Sequence, residues 1–428
     1  MSGKIKLRDA ISIGIGGMVG GGIFAVLGLA TELARGGTPI SFLIAGLIAL
    51  LTSYSYSKLS FTYPDRGGTV KFINQGFGVN VFSGAINNLL WVSYIIMLAL
   101  YASAFGSYAP NLFKLTDNHE LATHLYSSGI IVFATIINYY SIVIVGKIES
   151  IAVIIKLVIL LSFVAIGVYG LFGNPNLEQL SPQYWESTFK LVSAGMVIFV
   201  AYEGFELIAN AAPDIEHPER NIRKAYFISV IFVILLYITI ACVTVGSLNF
   251  SQIKNAQDYV LAEAAKPMLG QAGFTVITIA ALISTFSAIN ASLYGGSRVN
   301  YELAEDDEEP HQLTAKLWNQ PIGLLITSVA TLLVVNTLQL ESISTAGSVG
   351  FLLIFGIVNY VAYKQSDEIK GNRLISGLGS VGCFLALAAL LVQQYSSEKL
   401  SVLIALAIIA VCFVGEYFYK RSERPSNK

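Results

Sequence analysis

The sequence predicts an all-α polytopic membrane protein with 12 transmembrane helices, on the evidence of its composition and its hydropathy pattern. Hydrophobic residues fill 54% of the 428 positions and charged residues only 12%, whereas soluble domains carry about 25% charged residues. The charged residues lie between long apolar stretches. The length of each stretch is close to the roughly 20 residues that a helix needs to cross a bilayer. This composition excludes a soluble enzyme, and the net charge of −1 argues against a nucleic-acid partner.

Twelve apolar stretches follow one another along the chain, and the loops between them are too short to hold a separate soluble domain. The first stretch continues past Gly22 without a small-residue cleavage site, so we interpret it as span one and not as a cleaved signal. The predicted spans cover residues 11–35, 39–62, 81–110, 127–145, 150–172, 190–212, 225–248, 271–301, 322–338, 343–363, 374–394 and 400–420.

Cysteine and histidine positions indicate neither a metal site nor catalysis. Cys242, Cys383 and Cys412 each lie inside an apolar stretch, without the spacing of a disulfide framework or a zinc site. All four histidines fall in predicted loops, so no convergent catalytic set is expected within the membrane. We therefore predict no enzyme activity, no metal and no cofactor.

The distribution of lysine and arginine predicts the orientation of the chain. With the N-terminus in the cytoplasm, 18 basic residues fall on the inside, 6 on the outside, and two, Lys58 and Lys156, within spans. Because inside loops carry the excess of basic residues, both termini are expected to be cytoplasmic. The expected location is the plasma membrane, with the lipid bilayer as the surrounding partner and no obligatory protein partner.

Span one is interrupted by glycine. Six glycines occur among the nine residues from Gly14 to Gly22, and the last three are consecutive. Each glycine weakens a helix by about 1 kcal/mol relative to alanine. Glycines also serve close helix packing, but three in a row predict a break, and free backbone groups at that depth are tolerated where they line a cavity.

Span six shows a second interruption, with charge as well as glycine. Glu203 and Glu206 flank Gly204, and a carboxylate near the bilayer centre costs at least about 2.5 kcal/mol. Spans one and six are five spans apart, as in inverted repeats of five helices. Paired glycine-interrupted helices in corresponding places indicate the binding site of a secondary transporter.

Span five carries a lysine at depth. Lys156 has at least five apolar or small neighbours on each side, whereas Lys58 lies near the inner end of span two and can reach the headgroups. Burial disfavours the charged form of an amine, so such a lysine can gain and lose a proton near neutral pH. The ammonium group can also occupy the place of a bound sodium ion.

Together these features resemble the amino acid–polyamine–organocation (APC) superfamily, especially its archaeal proton-coupled amino-acid transporters. The resemblance runs over nearly the whole chain. Its motifs, in order, are Gly20 to Phe24, Tyr63 to Gly68, Ala201 to Glu206, Glu216 to Asn221 and Ser284 to Ala291.

The resemblance implies the five-plus-five inverted-repeat (LeuT-like, or APC) fold with broken helices one and six. Residues 1–173 would form the first repeat (helices 1–5) and residues 174–364 the second (helices 6–10). Residues 365–428 would form peripheral helices 11 and 12 and the cytoplasmic tail. The implied substrate-binding residues are Gly20, Gly21, Gly22, Ile23, Phe199, Ala201, Tyr202, Glu203, Gly204 and Tyr94. The implied proton-coupling residues are Lys156, Gly16, Ser284 and Ser287.

The sequence therefore predicts a proton-coupled amino-acid symporter that works by alternating access, with Lys156 as the proton carrier at a sodium position. Two alternatives remain open. One is an amino-acid exchanger, and the other is a permease for cationic amino acids or polyamines, which Glu203 would favour if it faced the pocket. Two departures from the family pattern matter: Pro213-Asp214 replaces a Glu-Glu pair, and the turn in span one offers no hydroxyl.

Overall fold

The computed structural model describes residues 5–140, 142–172, 175–305, 316–317 and 320–423. Helices dominate these ranges, and a two-residue antiparallel strand pair, β1 (Lys316–Leu317) with β2 (Gln320–Pro321), precedes α13. The helices are α1 (Leu7–Met18), α2 (Gly22–Ala34), α3 (Thr38–Thr62), α4 (Thr69–Phe77), α5 (Val81–Tyr108), α6 (His119–Tyr140), α7 (Ile142–Leu171), α8 (Thr188–Val197), α9 (Leu207–Ala211), α10 (Pro218–Ser247), α11 (Phe250–Asn255), α12 (Val260–Glu305), α13 (Gly323–Thr337), α14 (Leu340–Lys364), α15 (Arg373–Ser397) and α16 (Lys399–Glu423).

The all-helical polytopic class is confirmed. Among the described residues, nine helices are long and apolar enough to cross a membrane, and two bent pairs raise the number to as many as 11. A shorter apolar helix of 15 residues, α13, lies where the ninth span was predicted. The count of twelve spans and the inverted repeat stay predictions.

Both bent pairs lie where the sequence predicts interrupted helices. The pair α1 and α2 is bent by 44° around residues 19–21. In the sixth predicted span, α8 is followed by a 3₁₀ segment, Phe199–Glu206, and the chain bends there by 45°. A 3₁₀ segment in mid-membrane is consistent with backbone that leaves the α-helical ladder to line a site.

Short helices fill two loops that the sequence analysis left without structure. Helix α4 lies in the loop after span two, between Gly68 and Gly78, whose positive φ values of 48° and 75° suit glycine. Helix α11 and residues 260–269 of α12 fill the loop after span seven. Gly270, with φ 59°, then breaks α12 ahead of the eighth span. These helices are short or polar, so a search for long apolar stretches does not find them.

The spans pack in two groups with the broken helices between them. In one group α5, α6, α12 and α13 all contact one another. In the other group, α3 and α10 pack together and contact the broken helices, α10 against α1 and α3 against α8. The 3₁₀ segment lies against α1, α3 and α14. The first break lies against α12 at Ala288 and against α5 at Tyr101, and side chains of α5 also reach the 3₁₀ segment of the second break.

Candidate functional site

The two helix breaks touch through their backbones. A Cβ atom on Gly17 would lie 2.7 Å from the carbonyl oxygen of Gly204, and a Cβ on Gly22 would lie 2.9 Å from the Cα atom of Ala201. Side chains at these positions would force the backbones apart. The glycines are therefore required where the backbones of span one and span six come into contact.

Each glycine of the triple faces a different wall of the site. A Cβ on Gly20 would meet Ala288 of α12 at 2.7 Å, and one on Gly21 would clash with the Tyr101 ring of α5. Gly22 faces the 3₁₀ segment, as described above. The turn is thus enclosed on three sides, which explains why the sequence has no larger residue there.

Free backbone groups are available at this turn. Gly22 is the first residue of α2, followed by the buried Ile23 and Phe24. The first N–H groups of a helix have no partner within the helix, and with the helix dipole they bind carboxylates. Gly22 and Ile23 therefore lie at a helix N-terminus, the kind of position that suits an anionic group.

Lys156 reaches the same break from α7. Its side chain has 0% exposure, and its Nζ atom donates a hydrogen bond of 2.9 Å to the carbonyl oxygen of Gly16. Ser284 of α12 donates to the carbonyl oxygens of Val19 and Gly20, at 2.9 and 2.5 Å. Ser287 is also fully buried on α12. Carbonyl oxygens and a hydroxyl group thus converge beside a buried amine, and such oxygen ligands suit a hard cation.

Tyrosine and serine side chains satisfy further carbonyl groups at both breaks. The hydroxyl of Tyr237 on α10 donates to the carbonyls of Met18 at 2.6 Å and Ala201 at 3.3 Å. Ser344 and Ser348 on α14 donate to the carbonyl of Val197, each at 2.8 Å. These side chains supply hydrogen bonds to carbonyl groups at the places where the helices are interrupted.

Glu203 and Glu206 lie on the face of the 3₁₀ segment that meets α5. They are 4% and 2% exposed. Glu203 Oε1 accepts a hydrogen bond from Tyr101 at 3.2 Å, while its Oε2 has no partner among the described residues. Glu206 accepts from Tyr94 at 2.5 Å and from Thr69 at 2.9 Å. Glu203 therefore faces α5 beside the glycine turn.

The aromatic candidates have different surroundings. Tyr94 faces Glu206, as above, and a Cβ on Gly295 of α12 would lie 3.3 Å from its ring. Tyr202 donates its hydroxyl to the carbonyl of Phe42 on α3, and its ring packs 5.1 Å from that of Tyr237. This favours the interpretation of Tyr202 as a packing residue over a cover for the site. Phe199 is buried with its ring 6.0 Å from that of Phe355.

Sequence reasoning missed three residues that the structure brings to the breaks. Tyr101 and Tyr237 were two of 22 tyrosines, and Thr69 follows a turn that was noted only as a motif. One signal was available: Tyr94 and Tyr101 are seven residues apart on one helix, and two turns bring such residues to the same face. The two glutamates of span six, three residues apart, could have been recognised as the hydrogen-bond acceptors for these two tyrosines.

The Arg66–Asp214 contact gives a role to one departure from the family pattern. Asp214, in the Pro213-Asp214 pair, lies 3.3 Å from the guanidinium group of Arg66, and both side chains are partly exposed. The backbone of Ile5 pairs with the same segment, from its N–H group to the Asp214 carbonyl at 2.8 Å. Hydrogen bonding therefore connects the segment that precedes span one to the segment that ends span six.

Comparison with known proteins decides the family. The family model described as "Amino acid permease" matches residues 5–415. The chain belongs to this family. The permease is 34% identical over 388 residues, 90% of its length and 88% of the relative's, to an uncharacterised protein of Methanocaldococcus jannaschii. It is 30% identical, over 98% of its length and 97% of the relative's, to the inner membrane transport protein YbaT of Escherichia coli.

A third relative is named for its substrate. The branched-chain amino acid permease BcaP of Bacillus subtilis is 23% identical to this permease, over 88% of its length and 85% of the relative's. Family membership and these relatives establish the protein as a membrane permease and not an enzyme, with amino acids as the substrates of its family.

Proposed function

We propose that this permease is a proton-coupled symporter that accumulates amino acids by alternating access. The observation that carries the proposal is the fully buried Lys156 amine, 2.9 Å from the carbonyl oxygen of Gly16 in the last turn of α1, beside the first helix break. The carbonyl of Val19 and the hydroxyl of Ser284 lie at the same break, joined at 2.9 Å. A sodium ion would fit such oxygen ligands, and the lysine ammonium supplies the positive charge there instead.

The architecture in this proposal is the five-plus-five inverted repeat. Residues 1–173 and 174–364 form the two repeats, and residues 365–428 form the peripheral helices and tail. The matching bends of 44° and 45° in the first helix of each repeat support this division. The protein lies in the plasma membrane with both termini in the cytoplasm, as the excess of basic residues on that side indicates.

The substrate binds at the two breaks. Its α-carboxylate is held by the N–H groups at the start of α2, around Gly22. Its α-amine is held by carbonyl oxygens of the 3₁₀ segment between Phe199 and Gly204. These backbone groups recognise what all amino acids share, so the proposal favours a neutral or broad substrate range. The substrate class in the name of BcaP is consistent with this range.

Proton binding and transport are coupled because protonated Lys156 stabilises the outward-facing conformation more than the inward-facing one. Protonated Lys156 ties α7 to the carbonyl of Gly16 and holds the outward-facing form. Loss of the proton to the cytoplasm releases this tie, and the broken helices then move against α5, α6, α12 and α13. The proton shifts the equilibrium only through its different affinity for the two states.

Uptake of labelled amino acids into proteoliposomes tests this function. We expect accumulation of neutral amino acids only when a proton gradient is directed inward. An excess of arginine or putrescine that leaves alanine uptake unchanged would exclude the cationic alternative. Uptake that requires preloaded amino acid and ignores the pH gradient would contradict symport and identify an exchanger.

A further inference from the structure

The hydrogen bonds around the two carboxyl groups of span six differ sharply. Glu203 and Glu206 are three residues apart in a 3₁₀ segment, where side chains at such spacing lie on the same face about 6 Å apart. Both meet α5. Among the described residues, no ion pair joins either carboxyl group to a basic side chain.

Among the residues that the structure describes, the groups that face Glu203 offer it no compensating charge. The titratable neighbours are Glu206 on its own segment, Tyr94 and Tyr101 on α5, and Tyr237 on α10. None of them is a base. Two buried carboxylates at this separation, without a cation, disfavour each other's ionised form. The pair therefore holds at least one proton in this conformation.

The donors around the pair assign that proton. Glu206 receives two O–H groups, from Tyr94 at 2.5 Å and Thr69 at 2.9 Å, and such donors stabilise a carboxylate. Glu203 receives one, from Tyr101 at 3.2 Å, and its Oε2 atom has no partner within the described part of the chain. An unpartnered buried oxygen is far less costly in a neutral acid than in a carboxylate.

We infer that Glu203 is a second proton-binding site, distinct from Lys156, and that it carries its proton in this conformation. This inference rests on the proposed proton coupling for its role in transport. Tyr101 connects the group to the substrate site, because its ring covers Gly21 while its hydroxyl donates to Glu203. A neutral Glu203 leaves the pocket without excess negative charge and so admits a neutral amino acid.

The proton on Glu203 can be observed directly in the purified protein. Infrared difference spectra between acid and alkaline pH, without substrate, are expected to show a protonated carboxyl band that Glu203→Gln removes. The band remains in Glu206→Gln, because the proton that it reports lies on Glu203. Tyr101→Phe shifts its frequency by removing the hydrogen-bond donor. Glu219→Gln, at an exposed position, is the control and leaves the band unchanged.

Transport of the same variants gives the functional readout. Glu203→Gln imitates the protonated acid, so neutral amino acids still enter and still accumulate, because Lys156 continues to carry the coupled proton. A carboxyl band that survives Glu203→Gln would overturn the inference, as would a wild type without any such band. Failure of proton-driven uptake in the wild type, with the band present, would refute the coupling proposal and leave Glu203 as a proton site.

Discussion

Replacing Lys156 with alanine is expected to abolish uphill accumulation of amino acids. With one proton per amino acid, an inward gradient of one pH unit drives up to about a tenfold accumulation, since each factor of ten corresponds to about 1.4 kcal/mol. Without the amine, the carbonyl of Gly16 loses its donor and no proton is exchanged there. Inside and outside concentrations should therefore become equal in the variant, as measured with labelled alanine.

Two further variants make this result specific. Lys156→Met keeps the length and much of the volume of the side chain, so it separates loss of the proton from loss of packing. Lys58→Ala is the matched control, because Lys58 lies partly exposed and donates to the carbonyl of Lys370, away from the breaks. Tenfold accumulation retained in both Lys156 variants would show that another group couples the proton.

Replacing Gly204 with alanine is expected to stop transport and destabilise the protein. Its Cβ would enter the backbone of Gly17 and Met18, and backbone cannot yield as the end of a side chain can. Overpacking of this kind costs typically about 1–3 kcal/mol, and here it also separates the two breaks that form the site. Uptake and thermal unfolding in detergent measure the two effects.

Gly382→Ala on α15 is the control for this substitution. A Cβ at Gly382 meets nothing within 4 Å, and alanine in a helix is favoured over glycine by about 1 kcal/mol. The thermal stability of the Gly382→Ala variant should therefore equal or exceed that of the wild type. Gly17→Ala tests the same contact from the other side, since its Cβ would lie 2.7 Å from the Gly204 carbonyl oxygen. Normal uptake by both Gly204→Ala and Gly17→Ala would refute the backbone contact.

The helix breaks were predictable because their causes are local. Consecutive glycines at Gly20 to Gly22 and a glycine between two acids in span six weaken a helix wherever they occur, and the bends lie at those places. Lys156 was recognisable for a similar reason, since a charge inside an apolar stretch is conspicuous. Its partner, Gly16, came from the family resemblance.

Contacts between distant elements were not predictable from the sequence. The donation from Tyr237 to the carbonyls of Met18 and Ala201 depends on how α10 crosses both breaks. Tyr202 was predicted to cover the substrate site because of its motif. Its hydroxyl instead donates to the carbonyl of Phe42, since the 3₁₀ geometry directs the side chain towards α3. Side-chain direction depends on the local helix type, which composition and periodicity do not reveal.

Proton movement during amino-acid entry tests the central claim most directly. Proteoliposomes that contain the wild-type permease and a pH-sensitive dye, but no internal amino acid and no imposed gradient, receive external alanine. We expect acidification of the interior with each addition, and none with Lys156→Ala. Alanine entry without acidification in the wild type would contradict it, since the permease would then move its substrate without a proton.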